Sequence, residues 1–219
     1  MSRELQNPPG AGTPAVYLVD DHQSLRTSLT RLLQAAGHEV RAYASAADFL
    51  MDRNGPLRGC LLLDVWMPGG PTGLELHQAL VRQGETLPVI FLTGRGDIPM
   101  SVQAVKNGAF DFLTKPVRSE DLLKTVTAAM ENEKISWQAG TRHRELARRE
   151  ASLTAAQREV FQRVTAGHPN KQIAADLGCA ERTVKAHRSR VMLKMAASSL
   201  PELVGMAAEM HRPASCHDG

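Results

Sequence analysis

Residues 59–66 read Gly-Cys-Leu-Leu-Leu-Asp-Val-Trp, and the run Cys60–Leu63 closing on Asp64 decides the fold. Consecutive apolar residues with no polar alternation describe a strand covered on both faces, as in a parallel sheet. Working outward, Ala15–Asp20 (AVYLVD) is a second such run and ends in acids. Val89–Leu92 closes on Thr93, and Ala109–Thr114 precedes Lys115-Pro116. Glu39–Tyr43 reads as a further strand. Gln23–Ala36 carries Leu25, Leu29, Leu32 and Leu33 at helical spacing and meets Gly37 as a stop. Ser45–Met51 reads as a short helix with Ser45 as N-cap. Strands alternating with helical segments over residues 15–130 predict an α/β fold of five βα repeats around a parallel sheet.

Such sheets bind ligands beyond the carboxyl ends of their strands. There the sequence puts Asp20 and Asp21 after strand 1, Asp64 after strand 3, Thr93 after strand 4 and Lys115 after strand 5. Neighbouring carboxylates repel and call for a cation, and an all-oxygen donor set suits Mg²⁺. An aspartate can also serve as nucleophile and become an aspartyl phosphate. Lys115 and Thr93 would then hold the transferred phosphoryl oxygens. The pocket therefore reads as a phosphoryl-transfer site with Asp64 as acceptor. Singly, its members have plainer readings: Asp21 or Ser24 as a helix N-cap, Asp64 as a turn residue. A cis Lys115–Pro116 bond would re-aim the lysine.

Charge divides the chain. Residues 158–194 hold 8 basic against 3 acidic residues, whereas residues 1–130 are nearly balanced, so an anionic partner is expected for the second part only. Residues 131–152 are polar and mixed in charge, and read as an exposed helical linker, broken near Gly140, or as a disordered one. Residues 153–210 read as four short helices, the first opened by a Thr154/Gln157 capping box. On the third, 181–195, Val184, His187, Val191 and Met195 share one face and read as core, with Met192 as packing. Lys185, Ala186 and Ser189 lie opposite, a small and basic face that fits the major groove. Arg182, Arg190, Lys194 and the helix start at Asn170-Lys171 suit phosphates, and Thr183 joins the candidate DNA contacts. A basic helix in a protein-binding bundle is the alternative.

The segments VDDHQSLRTSL, LLLDVWMPGGPTGLEL, PVIFLTGRGD and DFLTKP resemble the receiver domain of bacterial two-component response regulators. LTAAQREVFQRVTAGHPNKQIAADLGCAERTVKAHRSRVMLKM is similar to the LuxR-type helix-turn-helix. Together they resemble the NarL/FixJ family. The resemblance implies a flavodoxin-like (βα)5 receiver, 15–130, joined by a helical linker, 131–152, to an all-α DNA-binding domain, 153–210, with tails 1–14 and 211–219. It implies a sensor histidine kinase as donor, Asp64 as acceptor, and Mg²⁺ on Asp21, Asp64, the Trp66 carbonyl and, through water, Asp20. It further implies Thr93 and Lys115 as phosphate contacts and Phe112 as the aromatic that moves with Thr93. A double-stranded DNA operator, a homodimer formed on phosphorylation and RNA polymerase complete the expected partners. Repacking of 97–108, the fifth strand and 119–130 would drive dimerisation or release of the basic domain. Two departures stand out. Met67–Gly73 is one residue longer than the family's usual turn, and Met195-Ala196 replaces its usual Leu-Gly. Trp66 reads equally as a screen against attacking water and as a plain hydrophobic lid.

Composition sets the outer bounds. At 42% apolar and 22% charged residues the chain is expected to pack a core. No run approaches a membrane span, and the first thirteen residues lack the apolar stretch of a secretory signal. Cys60, Cys179 and Cys216 form no CxxC pair, so neither a disulfide framework nor a zinc knuckle is expected, and a reducing cytoplasm is the simplest setting. A phosphatase using Asp64 as transient nucleophile would want a second acid two residues on, where Trp66 stands; a turnover enzyme is not expected. The other rival is a constitutive DNA-binding regulator whose receiver serves only protein contacts.

Overall fold

The computed structural model describes residues 12–53, 55–94 and 108–211. The apolar runs form β1 (Ala15–Val19), β2 (Val40–Tyr43), β3 (Gly59–Asp64), β4 (Val89–Thr93) and β5 (Asp111–Thr114). They pair as one parallel sheet in the order β2-β1-β3-β4-β5, the flavodoxin-like arrangement expected from the sequence. Helices α1 (Gln23–Ala35), α2 (Ala46–Met51), α3 (Gly73–Arg82) and α4 (Ser119–Ala151) accompany it. Ser45 caps α2 by accepting from the Asp48 N–H. Most of the expected tail 1–14, residues 97–107 of the expected switch face, and 212–219 with Cys216 lie outside the described residues.

Strand side chains alternate between faces, and in β1, β3 and β4 both faces are buried. Tyr17, Val19, Leu61, Leu63 and Phe91 pack with Phe49 of α2 and Leu76 and Leu80 of α3. Val16, Leu18, Cys60, Leu62, Ile90 and Leu92 pack with Leu29 and Leu33 of α1 and Leu122, Val126 and Ala129 of α4. Each such side chain contributes about 1.5–3 kcal/mol on leaving water, which is why these strands need apolar residues at every position. The register pairs Val19 with Leu63. One step further along both strands come Asp20 and Asp64, so two acids reach the same sheet edge at the same level.

The chain divides into two compact units between Ser136 and Trp137. The second is all-α: α5 (Ala155–Thr165), α6 (Asn170–Asp176), α7 (Glu181–Met195) and α8 (Leu200–His211). Val160, Phe161, Ile173, Val184, Val191, Met195, Leu203 and Met206 form its core. The Thr154/Gln157 capping box is present. Among the expected core residues of the third helix, His187 is only half-buried.

The expected linker is helical. Helix α4 is continuous over 33 residues, so the break considered near Gly140 is absent. Nor is 131–152 a free exposed segment. Glu133 is buried in the first unit, where its carboxylate accepts from the Arg58 Nε and Nη2. Leu146 is buried in the core of the second unit. The polar composition that suggested an exposed linker conceals one buried ion pair and one core contact.

Candidate functional site

Asp20 is fully buried, Asp64 nearly so, and Asp21 and His22 open outward from them. One ligand atom from each of these four residues lies within 4.8 Å of the others. The Lys115 Nζ reaches across from the end of β5 to both Asp20 Oδ2 and Asp64 Oδ2, each at 2.8 Å. Asp20 Oδ1 accepts from the His22 N–H at 2.8 Å, and the Trp66 N–H donates to Asp64 Oδ1 at 3.3 Å. The α1 N-cap is His22, without a side-chain cap bond, so Asp21 and Ser24 do not serve the capping role open to them. The Lys115–Pro116 peptide is cis.

Burial pushes the Asp64 carboxyl above the usual carboxylate range, against the pull of the Lys115 ammonium. Burial also lowers Lys115, but bonds to Asp20 and Asp64 outweigh it and leave the ammonium raised and charged. The Thr93 hydroxyl is buried and finds no hydrogen-bond partner among the described residues. A buried hydroxyl left without a partner is costly unless a ligand satisfies it. Thr93 is tied to the lysine strand, since its carbonyl accepts from the Lys115 N–H at 2.7 Å. Trp66 is 54% and Phe112 37% exposed, both at the surface around this edge. A carboxylate, a fixed ammonium, a hydroxyl without a partner among the described residues and acids able to hold a cation are the parts phosphoryl transfer requires.

The turn that follows Asp64 is fixed locally. Thr72 and Glu75 form a capping box at the start of α3, and Gly73 donates to the Val65 carbonyl at 3.1 Å. A Cβ on Gly73 would lie 2.1 Å from the Asp64 carbonyl oxygen. Only glycine lets α3 begin this close to the acid, and the lengthened turn keeps that contact.

In the second unit Arg182, Lys185, Ala186, Ser189 and Arg190 are exposed along α7, Thr183 is half-buried, and Lys171 is exposed at the start of α6. The Asn170 Oδ1 accepts from Arg188 at 3.3 Å, joining α6 to α7. Lys194 departs from the expected phosphate contact. Its ammonium donates to the Ser152 carbonyl at 2.7 Å and to Gln157 Oε1 at 2.9 Å, closing the start of α5 instead. Sequence reasoning missed His22, Gly73, Arg188 and the Arg58–Glu133 pair. The run Asp20-Asp21-His22 holds three metal-ligating residue types in succession and could have flagged the first, and Thr72-x-x-Glu75 the α3 start. Nothing local marks Arg58 and Glu133, which are 75 residues apart.

A family model described as "Response regulator receiver domain" matches residues 16–127, and one described as "Bacterial regulatory proteins, luxR family" matches residues 151–207. The chain is 43% identical over 192 residues to Nodulation protein W of Bradyrhizobium diazoefficiens, covering 88% of this chain and 84% of that one. It is 42% identical over 193 residues to the transcriptional regulatory protein FixJ of Azorhizobium caulinodans, covering 88% and 90%. The solved structure of the response regulator StyR superposes with a TM-score of 0.84 at 39% identity, covering 90% of this chain and all of that one.

Proposed function

The chain belongs to the NarL/FixJ-type response regulators of two-component systems, with a receiver followed by a luxR-family DNA-binding domain, and on that premise we propose that phosphorylation of Asp64 controls its binding to operator DNA. The constitutive reading is not favoured by this kinship. The reading rests on the Asp64 carboxylate, 4% exposed, held 2.8 Å from Lys115 at the edge where the buried Thr93 hydroxyl has no partner among the described residues. An Asp64 oxygen attacks the phosphorus of a sensor kinase phosphohistidine. An O–P bond forms, the P–N bond breaks, and the leaving imidazole nitrogen takes a proton. Lys115 neutralises the transferred oxygens, and the Thr93 hydroxyl donates to one of them. Asp20, Asp21, Asp64 and the Trp66 carbonyl would hold Mg²⁺, a set of hard oxygen donors that fits this ion. When bound, the ion supplies charge to offset the phosphoryl oxygens.

Movement of Thr93 toward the phosphoryl group draws Phe112 inward from its exposed position and reshapes the β5–α4 face. Dimerisation on that face links two DNA-binding units, so paired half-sites bind as one event. Lys185, Ala186 and Ser189 read base edges, and Arg182, Thr183, Arg190, Asn170 and Lys171 hold phosphates; Lys194 serves the fold. The DNA-bound dimer acts on RNA polymerase in the cytoplasm. No single described helix is long and apolar enough to cross a membrane. The receiver is assigned to 15–130 and the DNA-binding domain to 153–210. The protein turns over no external substrate; any hydrolysis is loss of its own phosphoryl group.

The test is label incorporation from a small phosphodonor with Mg²⁺, followed by sedimentation and operator binding. Wild type should take up label, dimerise and bind operator more tightly, and Asp64→Asn should do none of these. Equal label in Asp64→Asn would overturn the assignment.

A further inference from the structure

His22 belongs to the acidic cluster by geometry, yet no role in the proposed phosphoryl transfer uses its side chain. Its Nδ1 is hydrogen-bonded to Asp21 Oδ1 at 3.0 Å and lies 3.8 Å from Asp20 Oδ1; with the proton on Nε2 instead, the Nδ1 lone pair is free for a metal. Lys115 approaches the other oxygens, Asp20 Oδ2 and Asp64 Oδ2. The lysine and the imidazole therefore do not compete for the same atoms of Asp20. Four ligand atoms within 4.8 Å of one another are close to what one ion demands. At bond lengths of about 2.0–2.2 Å, opposite ligands stand roughly 4.0–4.4 Å apart, so small rotations close the set. The imidazole can make such a rotation, being 69% exposed.

We propose that His22 is a metal-ligating residue of this pocket, giving it a mixed nitrogen–oxygen donor set that favours borderline divalent transition-metal ions over Mg²⁺. This rests on the reading of the cluster as a cation site. Mg²⁺ selects hard oxygen ligands and gains little from an imidazole, whereas Co²⁺, Ni²⁺ and Zn²⁺ bind neutral imidazole well. The same carboxylates thus serve either class of ion, and His22 tilts the choice.

The test is calorimetric titration of the tag-free full-length chain with Mg²⁺ and with Co²⁺ at fixed pH, without a phosphodonor. The Co²⁺ signal of this pocket is identified by its loss in Asp21→Asn. In His22→Ala and His22→Asn the ratio of Co²⁺ to Mg²⁺ affinity should fall by about 10–100-fold, the range that loss of a supporting ligand partner already produces. The visible spectrum of the Co²⁺ complex should shift as nitrogen ligation is lost. His22 is a surface residue without a cap bond, so both variants should fold. An unchanged ratio in both, with Mg²⁺ still binding wild type, would overturn the imidazole assignment alone. Wild type binding neither ion would overturn it together with the cation-site reading beneath it.

Discussion

Replacing Arg58 by Met should destabilise the receiver by about 3–5 kcal/mol, the range seen when one partner of a buried ion pair is removed. The side chains of Arg58 and Glu133 are 4% and 7% exposed, with Nε–Oε1 at 2.5 Å and Nη2–Oε2 at 3.3 Å. Two unit charges about 3 Å apart attract by roughly 5 kcal/mol at an effective dielectric of about 20. Desolvating the two ions costs several kcal/mol each, so the pair is close to neutral against an apolar replacement. Removing the guanidinium leaves the cost of burying the Glu133 carboxylate and takes away the attraction. Methionine keeps an unbranched stem, and the main-chain bond from Ala15 N–H to the Arg58 carbonyl does not involve the side chain. Arg58→Met/Glu133→Leu should recover most of the loss. The assay is urea unfolding followed by Trp66 fluorescence in a Trp137→Phe background, so that only the first unit reports. A single variant within about 1 kcal/mol of wild type at pH 7, or a double variant no better than the single, would refute the buried-pair reasoning.

Gly73→Ala should cost about 1–3 kcal/mol by overpacking and slow phosphorylation of Asp64, because the new Cβ meets the Asp64 carbonyl at 2.1 Å; thermal melts and label uptake check both, and a wild-type labelling rate would count against the contact. Ala196→Gly should stabilise the second unit by about 1 kcal/mol, since Ala196 caps α7 in the left-handed region at φ 55°, where a Cβ is strained; its urea midpoint should rise. Glu145, held by Arg148 and Arg149 down to about 2, should contribute stability that is present above pH 4.5 and lost as pH falls toward 2. None of the three side chains is buried, so the increment is small, and Glu145→Gln should slightly flatten the acid limb of the unfolding curve. Gly140→Ala should slow amide exchange across 134–145 by about 1 kcal/mol of helix propensity; unchanged exchange there would show that packing, not propensity, holds that stretch.

The sheet and its acidic edge were legible because each rests on a local pattern. Cys60–Leu63 and Val89–Leu92 are apolar at every position since both faces are covered, and a strand so marked ends where its first acid or hydroxyl appears. Asp64 and Thr93 follow by that rule. What stayed hidden depends on distance along the chain. Glu133 sits in a polar stretch and looks like a solvated helix residue until Arg58 is brought beneath it. Lys194 looks like one more cation on a basic helix until the carbonyl of Ser152 and the side chain of Gln157 claim it. Charge alone cannot tell a DNA contact from an internal tie, because the difference lies in what the fold places within hydrogen-bond reach.

Helix α4 shows the same limit from the other side. The sequence marked 131–152 as an exposed linker, and an unburied stretch is present but shorter. Burial ends at Glu133 and resumes at Leu146, so residues 134–145 carry no buried side chain. Isolated helices of about 12–15 residues are marginal in water, and this stretch has Gly140 near its middle. Its helical state therefore depends on its anchored ends, one set by the Arg58–Glu133 pair and the other by the core around Leu146, with an exposed Arg142–Glu209 ion pair at 3.0 Å tying its second half to α8. Loss of either anchor should loosen the stretch before it unfolds either unit. That makes the Arg58–Glu133 pair more than a stability element: it fixes the helix where it leaves the first unit, at the opposite end of the sheet from Asp64.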